Sequence, residues 1–257
     1  PMSPRMRTRY PDGLVNQGVS AELIAQKWDL GREELDAFAA ESHRRAAQAW
    51  ADGFFDRTVV PVPEAPDART DETVRAGTTV DKLAGLPASF RTDALAERFP
   101  DLDWRSTPGN SSPLTDGASA ALMMSAERAD TLGLAPRARI RAVDVIGDDP
   151  MFMLTGPIPA TRRVLERAGL GIDDLDAYEV NEAFASVPLA WAAELGADLS
   201  KLNPRGGAIA LGHALGSSGT RLLGTLIDHL DATGGRYGLQ TMCEGGGMAN
   251  ALILERL

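Results

Sequence analysis

The chain has 257 residues, a formal net charge of -10, 44% hydrophobic residues and only 5% aromatic ones. That length allows one large domain or two ordinary ones, and with so few aromatics Ala, Leu, Val and Ile must fill the core, a composition suited to helices covering buried strands. The acidic balance excludes a general nucleic-acid or membrane-surface binder, and no apolar stretch reaches the ~18 residues of a membrane span.

One cysteine, Cys243, cannot form an internal disulfide, and with no signal peptide in view this points to the cytoplasm. The lead, from Pro1 through Arg5, Arg7 and Arg9, reads as a mobile end. Residues 20–52 predict two helices broken at Gly31, with Ser20 as the first cap and Leu23, Ile24 and Trp28 facing inward. The second carries Leu35, Phe38, Ala39, Ser42, Ala46, Ala49 and Trp50 at helical spacing, with His43 on its solvated flank.

Residues 56–113 change character, being interrupted by Pro61, Pro63, Pro66, Pro87, Pro100, Pro108 and Pro113. They predict an ordered excursion with little regular structure, since Leu83, Leu86, Phe90 and Trp104 need a place to pack. Beyond residue 115 the chain becomes regular. Helices are expected over 118–132, 158–168, 183–195 and about 215–230, and strands over 138–146, 177–180, 208–211, 237–242 and 250–255. That alternation implies an α/β fold, a mixed sheet covered by helices with sites at strand ends.

Three segments carry chemistry. The run from Gly206 to Gly219 holds five glycines around His213. It lacks the Lys and Ser/Thr that a phosphate-binding loop needs after its second glycine, so nucleotide hydrolysis is excluded. A tight turn explains the glycines, but not a histidine among them. Cys243 precedes Glu244 and then Gly245, Gly246 and Gly247, whose backbone N–H groups could hold a thioester oxygen as it becomes an oxyanion. Asn181 opens Asn181-Glu182-Ala183-Phe184 where a strand ends; it reads equally as a helix cap or as an amide projected into a site. His229, beside Asp228, is expected at the surface.

In order and spacing these segments resemble the thiolase family, as does Pro108-Gly109-Asn110-Ser111-Ser112 followed by Asp116-Gly117-Ala118. The resemblance runs over nearly the whole chain and is nearest to an acetyl-CoA C-acyltransferase of degradative type. It implies a thiolase-like mixed sheet (the C-terminal half) plus an irregular, α-rich loop domain. Residues 1–114 would be a partial, CoA-covering loop domain, 115–135 a remnant of the N-terminal half, and 136–257 the C-terminal half.

The resemblance also implies roles. His213 matches the base that takes the nucleophile's proton, and Cys243 the cysteine that moves the proton beside the thioester carbonyl. Asn181 matches the residue that holds a water of one oxyanion site, and the Gly245 N–H part of a second. Arg75, Phe90, Ser112, Ala183 and Phe184 match CoA-contacting positions. Coenzyme A and acyl-CoA enter as substrates, with no permanently bound cofactor and no metal, and the family forms homo-oligomers, dimers or tetramers. Its nucleophilic cysteine has no counterpart here, so the chain alone is expected not to cleave 3-ketoacyl-CoA. The family usually has Asn where Arg205 stands and Pro where Ala214 stands; Arg205 is expected to disturb the glycine turn, and Ala214 to loosen the residue after the histidine. Two alternatives remain: a truncated, non-catalytic homologue binding CoA or a protein partner, and an acyl transfer with Cys243 itself as nucleophile.

Overall fold

The computed structural model describes residues 3–65 and 69–257; Pro1 and Pro66 lie outside the described residues. The lead forms an exposed helix, α1 (Pro4–Arg9), capped by Ser3. Helix α2 (Gln17–Lys27) is capped not by Ser20 but by Asn16, whose side chain accepts from the Val19 N–H at 3.1 Å. Ser20 lies inside that helix, and its hydroxyl donates to Met151 O at 2.8 Å. Gly31 caps α3 (Arg32–Ala51), which opens with Glu33 and Glu34 toward its positive end and buries Leu35, Ala39, Ser42, Ala46 and Ala49.

The proline-rich excursion contains two short helices, α4 (Val80–Ala84) and α5 (Asp93–Arg98), each started by a threonine cap. The helix expected over 118–132 is realised only as α6 (Ala126–Leu132), started by the Ser125 cap. The residues before it are exposed, with Leu122 82% accessible. An apolar run with nothing to pack against gains too little to offset helix nucleation.

The regular region follows as strand β1 (Ala138–Gly147), helix α7 (Pro157–Ala168), a 3-10 turn (Ile172–Asp174), strand β2 (Ala177–Val180) and helix α8 (Ser186–Leu195). Then come α9 (Ala208–Leu211), α10 (Ser218–Thr233) and strands β3 (Tyr237–Glu244) and β4 (Met248–Arg256). The expected strand at 208–211 is a single helical turn, and α8 begins at Ser186 rather than 183, so Asn181 caps no helix.

The four strands form one mixed sheet in the order β1-β4-β3-β2. β4 pairs antiparallel with both β1 and β3, while β2 and β3 run parallel. Alternate residues of the strands face two helical layers. On one face Ile253, Leu239 and Tyr178 pack with Val164 of α7 and with Trp191 of α8. Trp191 is fully buried and satisfies its indole N–H on the Thr161 hydroxyl at 2.9 Å. On the other face Ala177 and Leu254 meet Leu223, Leu226 and Leu230 of α10. Gly238 lets that helix come close: a Cβ there would lie 2.7 Å from the Leu226 side chain. Helices α2 and α3 pack outside α8 and α9 and join a second apolar cluster around Ala183, Phe184 and Cys243.

Candidate active site

The site is built first from two parallel strand ends. Val180 is the last β2 residue in register with β3, opposite Thr241, and the Asn181 N–H extends the ladder to Thr241 O at 3.1 Å. Asn181 and Cys243 therefore leave the same edge of the sheet, the carboxyl edge at which open α/β sheets hold ligands. The Asn181 carboxamide is 1% exposed, yet neither its oxygen nor its nitrogen has a partner among the described residues. Buried amides are ordinarily satisfied, so this one is arranged for something outside the chain, such as water or substrate.

Cys243 is buried beside Phe184 and Met153, and burial pushes its thiol up to about 12. It is thus a thiol, not a thiolate, at neutral pH. After it the chain turns through Gly245 to Gly247 into β4. Gly247 has φ +84° and sits on Asp148 O and Asp149 O, where a Cβ would come within 3.0 Å of both. The exposed Gly245 N–H donates to nothing among the described residues.

His213 reaches the site through a turn fixed by a carboxylate that sequence reasoning did not single out. Glu182, fully buried, accepts from the Ser42 hydroxyl at 2.7 Å, Asn203 Nδ2 at 2.9 Å and the Ile209 N–H at 3.1 Å. The last bond holds the start of α9, which is why four apolar residues make a helical turn and not a strand. The Gly206–Gly207 pair is required by these contacts. A Cβ on Gly207 would fall inside the Glu182 carboxyl, and one on Gly206 (φ +79°) would lie 2.6 Å from Ser42 O. Gly212 (φ +82°) then turns the chain against Thr115.

The His213 N–H donates to Pro113 O at 2.9 Å, and its Nδ1 lies 2.7 Å from Ser218 Oγ. Its Nε2 makes no hydrogen bond among the described residues. Burial, and then the positive Arg221, lower the His213 pKa, so the imidazole is neutral at physiological pH.

A strap, residues 110–115, ties these pieces together. Ala185 N–H donates to Asn110 O at 3.0 Å, Ser111 bridges to Phe184, and both the N–H and the hydroxyl of Ser112 donate to Ala183 O at 3.1 Å. The same strap supplies the Pro113 carbonyl to His213. Its own position is set by Asn110, whose Nδ2 donates to the buried Asp36 at 2.8 Å. From the other side the start of α10 lies close to β3, where a Cβ on Gly219 would meet the Met242 sulfur at 3.6 Å. Asn181, His213 and Cys243 share no direct hydrogen bond; backbone bonds of their neighbours place them.

Of the expected CoA contacts, four converge. Phe90 stands edge-on to Phe184, with ring centroids 5.7 Å apart, and Ser112 and Ala183 are bonded in the strap beside them. Arg75 stands apart. It is exposed, its N–H donates to His43 Nδ1 at 3.1 Å, and its segment lies on α3 and α9, with the Thr73 hydroxyl on Ala210 O.

Four surroundings differ from expectation. His43 is 5% exposed rather than solvated, because it receives that Arg75 N–H; its pKa is lowered to about 4, chiefly by burial. His229 is half-buried and also lowered to about 4 by burial and then by Arg205. Arg205 does not intrude on the glycine turn: its guanidinium lies 4.3 Å from the Phe54 ring centroid and donates to His229 Nδ1 at 3.2 Å. Ala214, expected to loosen the chain after His213, instead takes the Ser217 and Ser218 N–H groups on its carbonyl, both at 3.0 Å.

Behind His213, between sheet and α10, lie charges that the motifs did not announce. Both Glu179 oxygens, both Arg221 Nη atoms and Gln240 Nε2 are buried without hydrogen-bond partners among the described residues. A cavity of about 400 Å³ opens elsewhere, beside Phe38, Ser42, Arg45, Glu182 and Leu189, and is lined by none of Asn181, His213 and Cys243.

Two family models match the chain: "Thiolase, N-terminal domain" over residues 8–127 and "Thiolase, C-terminal domain" over residues 134–256. The chain is 48% identical over 250 residues to the "Steroid 3-ketoacyl-CoA thiolase FadA6" of Mycobacterium tuberculosis, matching 97% of this chain and 58% of that protein. It is 43% identical over 263 residues to an acetyl-CoA acetyltransferase of Chromobacterium violaceum, matching 97% of this chain and 64% of that protein. It thus spans about three-fifths of the length of these relatives. Among solved structures it is similar to the Bacillus anthracis acetyl-CoA acetyltransferase, with TM-score 0.87 and 38% identity over 95% of this chain and 60% of that one. It is also similar to human mitochondrial 3-ketoacyl-CoA thiolase in complex with CoA, with TM-score 0.84 and 37% identity over 93% of this chain and 58% of that one.

Proposed function

The chain belongs to the thiolase family, and from that premise we propose that it forms one wall of an acyl-CoA acyltransferase site. The reaction is thiolysis of a 3-ketoacyl-CoA to acetyl-CoA and a shortened acyl-CoA, or the reverse Claisen condensation. The observation that carries this reading is the convergence at one sheet edge of an unpartnered buried amide (Asn181), a free backbone N–H (Gly245) and a thiol kept protonated (Cys243).

Carbon–carbon cleavage passes through a thioester enolate, which needs a proton carrier at the α-carbon and donors at the developing oxyanion. Cys243, protonated at rest, donates to the departing enolate carbon and recovers the proton in the condensation direction. The Gly245 N–H stabilises the enolate oxygen. Asn181 holds a water that, with His213, stabilises the oxygen of the other tetrahedral intermediate. His213 Nε2 takes the proton of the attacking thiol. Phe90, Phe184, Ala183 and Ser112 line the path of the pantetheine arm, and Arg75 meets the phosphate or adenine end. Residues 1–114 are read as the CoA-covering part, 115–135 as the end of an N-terminal half and 136–257 as the C-terminal half.

The acyl group in this scheme rests on a cysteine other than Cys243. Cys243 is the chain's single cysteine, so the 257-residue protein alone will exchange α-protons of acetyl-CoA with D2O but will not thiolyse 3-ketoacyl-CoA. Mass spectrometry of recovered acetyl-CoA tests the first half; exchange is expected to vanish in Cys243→Ala. Loss of exchange in the parent protein with CoA binding retained would replace this reading by that of a non-catalytic CoA binder. Acyl labelling at Cys243 would replace it by acyl transfer through that thiol, against which its high pKa argues. Thiolysis by a sample of verified intact mass would overturn the need for a second cysteine.

A further inference from the structure

His213 can act as a base only if its ring hydrogen sits on the nitrogen that faces away from substrate, and the start of α10 meets the ring at Nδ1. Ser218 is wholly buried and is the first residue of α10. Its hydroxyl has one hydrogen to give. The oxygen lies 2.9 Å from Ala214 O and 2.7 Å from His213 Nδ1. A serine hydroxyl at this place in a helix bonds back to the carbonyl four residues earlier. With its hydrogen on Ala214 O, the oxygen presents only a lone pair to the ring.

We propose that Ser218 is a positioning residue that fixes neutral His213 as the Nδ1–H tautomer, leaving the Nε2 lone pair for proton transfer. This deepens the acyl-transfer reading and rests on it. Two further observations converge on it. Nε2 makes no hydrogen bond among the described residues, so nothing in the chain competes for its lone pair. Arg221, three residues along α10, has both Nη atoms buried and without a hydrogen-bond partner among the described residues. Its charge opposes a second proton on the ring, which excludes the imidazolium as the resting form. The backbone completes the arrangement, since the strap holds the His213 main-chain N–H on Pro113 O while α10 meets the ring at Nδ1.

The opposite arrangement is well defined. Ala214 O also receives the Ser217 and Ser218 N–H groups and the Ser217 hydroxyl at 3.2 Å, so the Ser218 hydroxyl could instead turn its hydrogen onto Nδ1. The ring hydrogen would then sit on Nε2, as free imidazole side chains prefer, and no base would face the substrate.

Long-range proton–nitrogen correlation NMR on the 257-residue protein, with 15N-labelled histidine, separates the two. The His213 signals are identified by their loss in His213→Gln. The expected pattern at neutral pH is a protonated, pyrrole-type Nδ1 with an unprotonated, pyridine-type Nε2. Ser218→Ala should shift His213 toward Nε2–H while leaving His43 and His229 unchanged, and Ser218→Thr, which keeps the hydroxyl, should restore the parent pattern. An Nε2–H or doubly protonated ring in the parent protein overturns the proposal, and that spectrum suffices even if Ser218→Ala does not fold. An unchanged tautomer in a folded Ser218→Ala overturns it as well. Absence of α-proton exchange with the Nδ1–H pattern intact would instead sink the acyl-transfer reading, so the two failures are distinguishable.

Discussion

Glu179 and Glu182 stand three residues apart at the end of β2, both are inaccessible to solvent, and their surroundings are opposite. Glu182 has a hydroxyl, a carboxamide and a backbone N–H on it, drawn from α3, the 203 loop and α9. Glu179 has no hydrogen-bond partner among the described residues and feels only nearby charges, first Arg221 across the sheet–α10 interface and then Glu182 and Arg45. Burial raises both acids; hydrogen bonds oppose that rise at Glu182, while Glu179, which has none, is raised to about 8. One carboxyl is a latch that shapes the backbone leading to His213. The other is a neutral acid at physiological pH, a reservoir of charge that the fold keeps suppressed.

The comparison breaks most severely at Glu182. Glu182→Ala leaves the Ser42 hydroxyl and the Ile209 N–H buried and unpaired and takes one of two acceptors from Asn203 Nδ2, and is expected to cost about 3–5 kcal/mol. A denaturant midpoint that barely moves would show that these donors find other partners. Gly207→Ala attacks the same latch from the other side by driving a Cβ into the carboxyl. Overpacking of this kind costs about 1–3 kcal/mol. The loss should be largely relieved in the Gly207→Ala, Glu182→Gly double variant, and simple additivity in that cycle would refute the clash.

Glu179→Gln sharpens the contrast, because it should be nearly neutral near pH 6.5 and change mainly the pH dependence. The folded pKa of about 8 lies above the ordinary 4.5, so the folded state holds a proton that the unfolded chain has lost. Stability from this group is therefore present below about 4.5 and declines as pH rises to about 8. His43 and His229, lowered from 6.5 to about 4, act oppositely: their contribution is present above 6.5 and is lost as pH falls toward 4. Thermal melts of the parent and Glu179→Gln between pH 6.5 and 8 separate this glutamate from the others, with at most about 2 kcal/mol of decline from it over that window. Persistence of the decline in Glu179→Gln would assign it to another group. The smallest effect is expected at Arg205→Asn, which removes the Phe54 ring contact and the bond to His229 for about 0.5–1 kcal/mol. A loss beyond ~2 kcal/mol in urea unfolding would mean that Arg205 does hold the glycine turn.

The sheet was legible in the sequence because its strands are bounded by turn residues and their apolar runs are long enough to show a period. Four apolar residues at 208–211 are too few to choose between strand and helix, and a distant partner, Glu182, made the choice. The run at 118–132 had apolar residues but no covering face, and only its capped second half became helical. The site divided the same way. Asn181, His213 and Cys243 stood out by motif, but their supports did not. Ser218 reads as a serine before a glycine, Arg221 as a cation on the polar side of an amphipathic helix, and Glu182 as the second letter of a motif known by its first. What signals them is the mutual placement of α3, α9 and α10, which no local period encodes. His43 was misplaced for the same reason, because the N–H it accepts comes from Arg75, 32 residues away.

Strand β4 comes last in chain order yet lies inside the sheet, between β1 and β3. During synthesis β1 emerges roughly 100 residues before its only sheet neighbour, an interval of about 5–20 s at ordinary elongation rates. Throughout it Ile146, later opposite Ala249, has no strand beside it. β2 and β3 can pair sooner, so Asn181 and Cys243 come together while the opposite edge of the sheet is still open. The order of translation thus makes the nine-residue strand β4 the step that closes this sheet over β1.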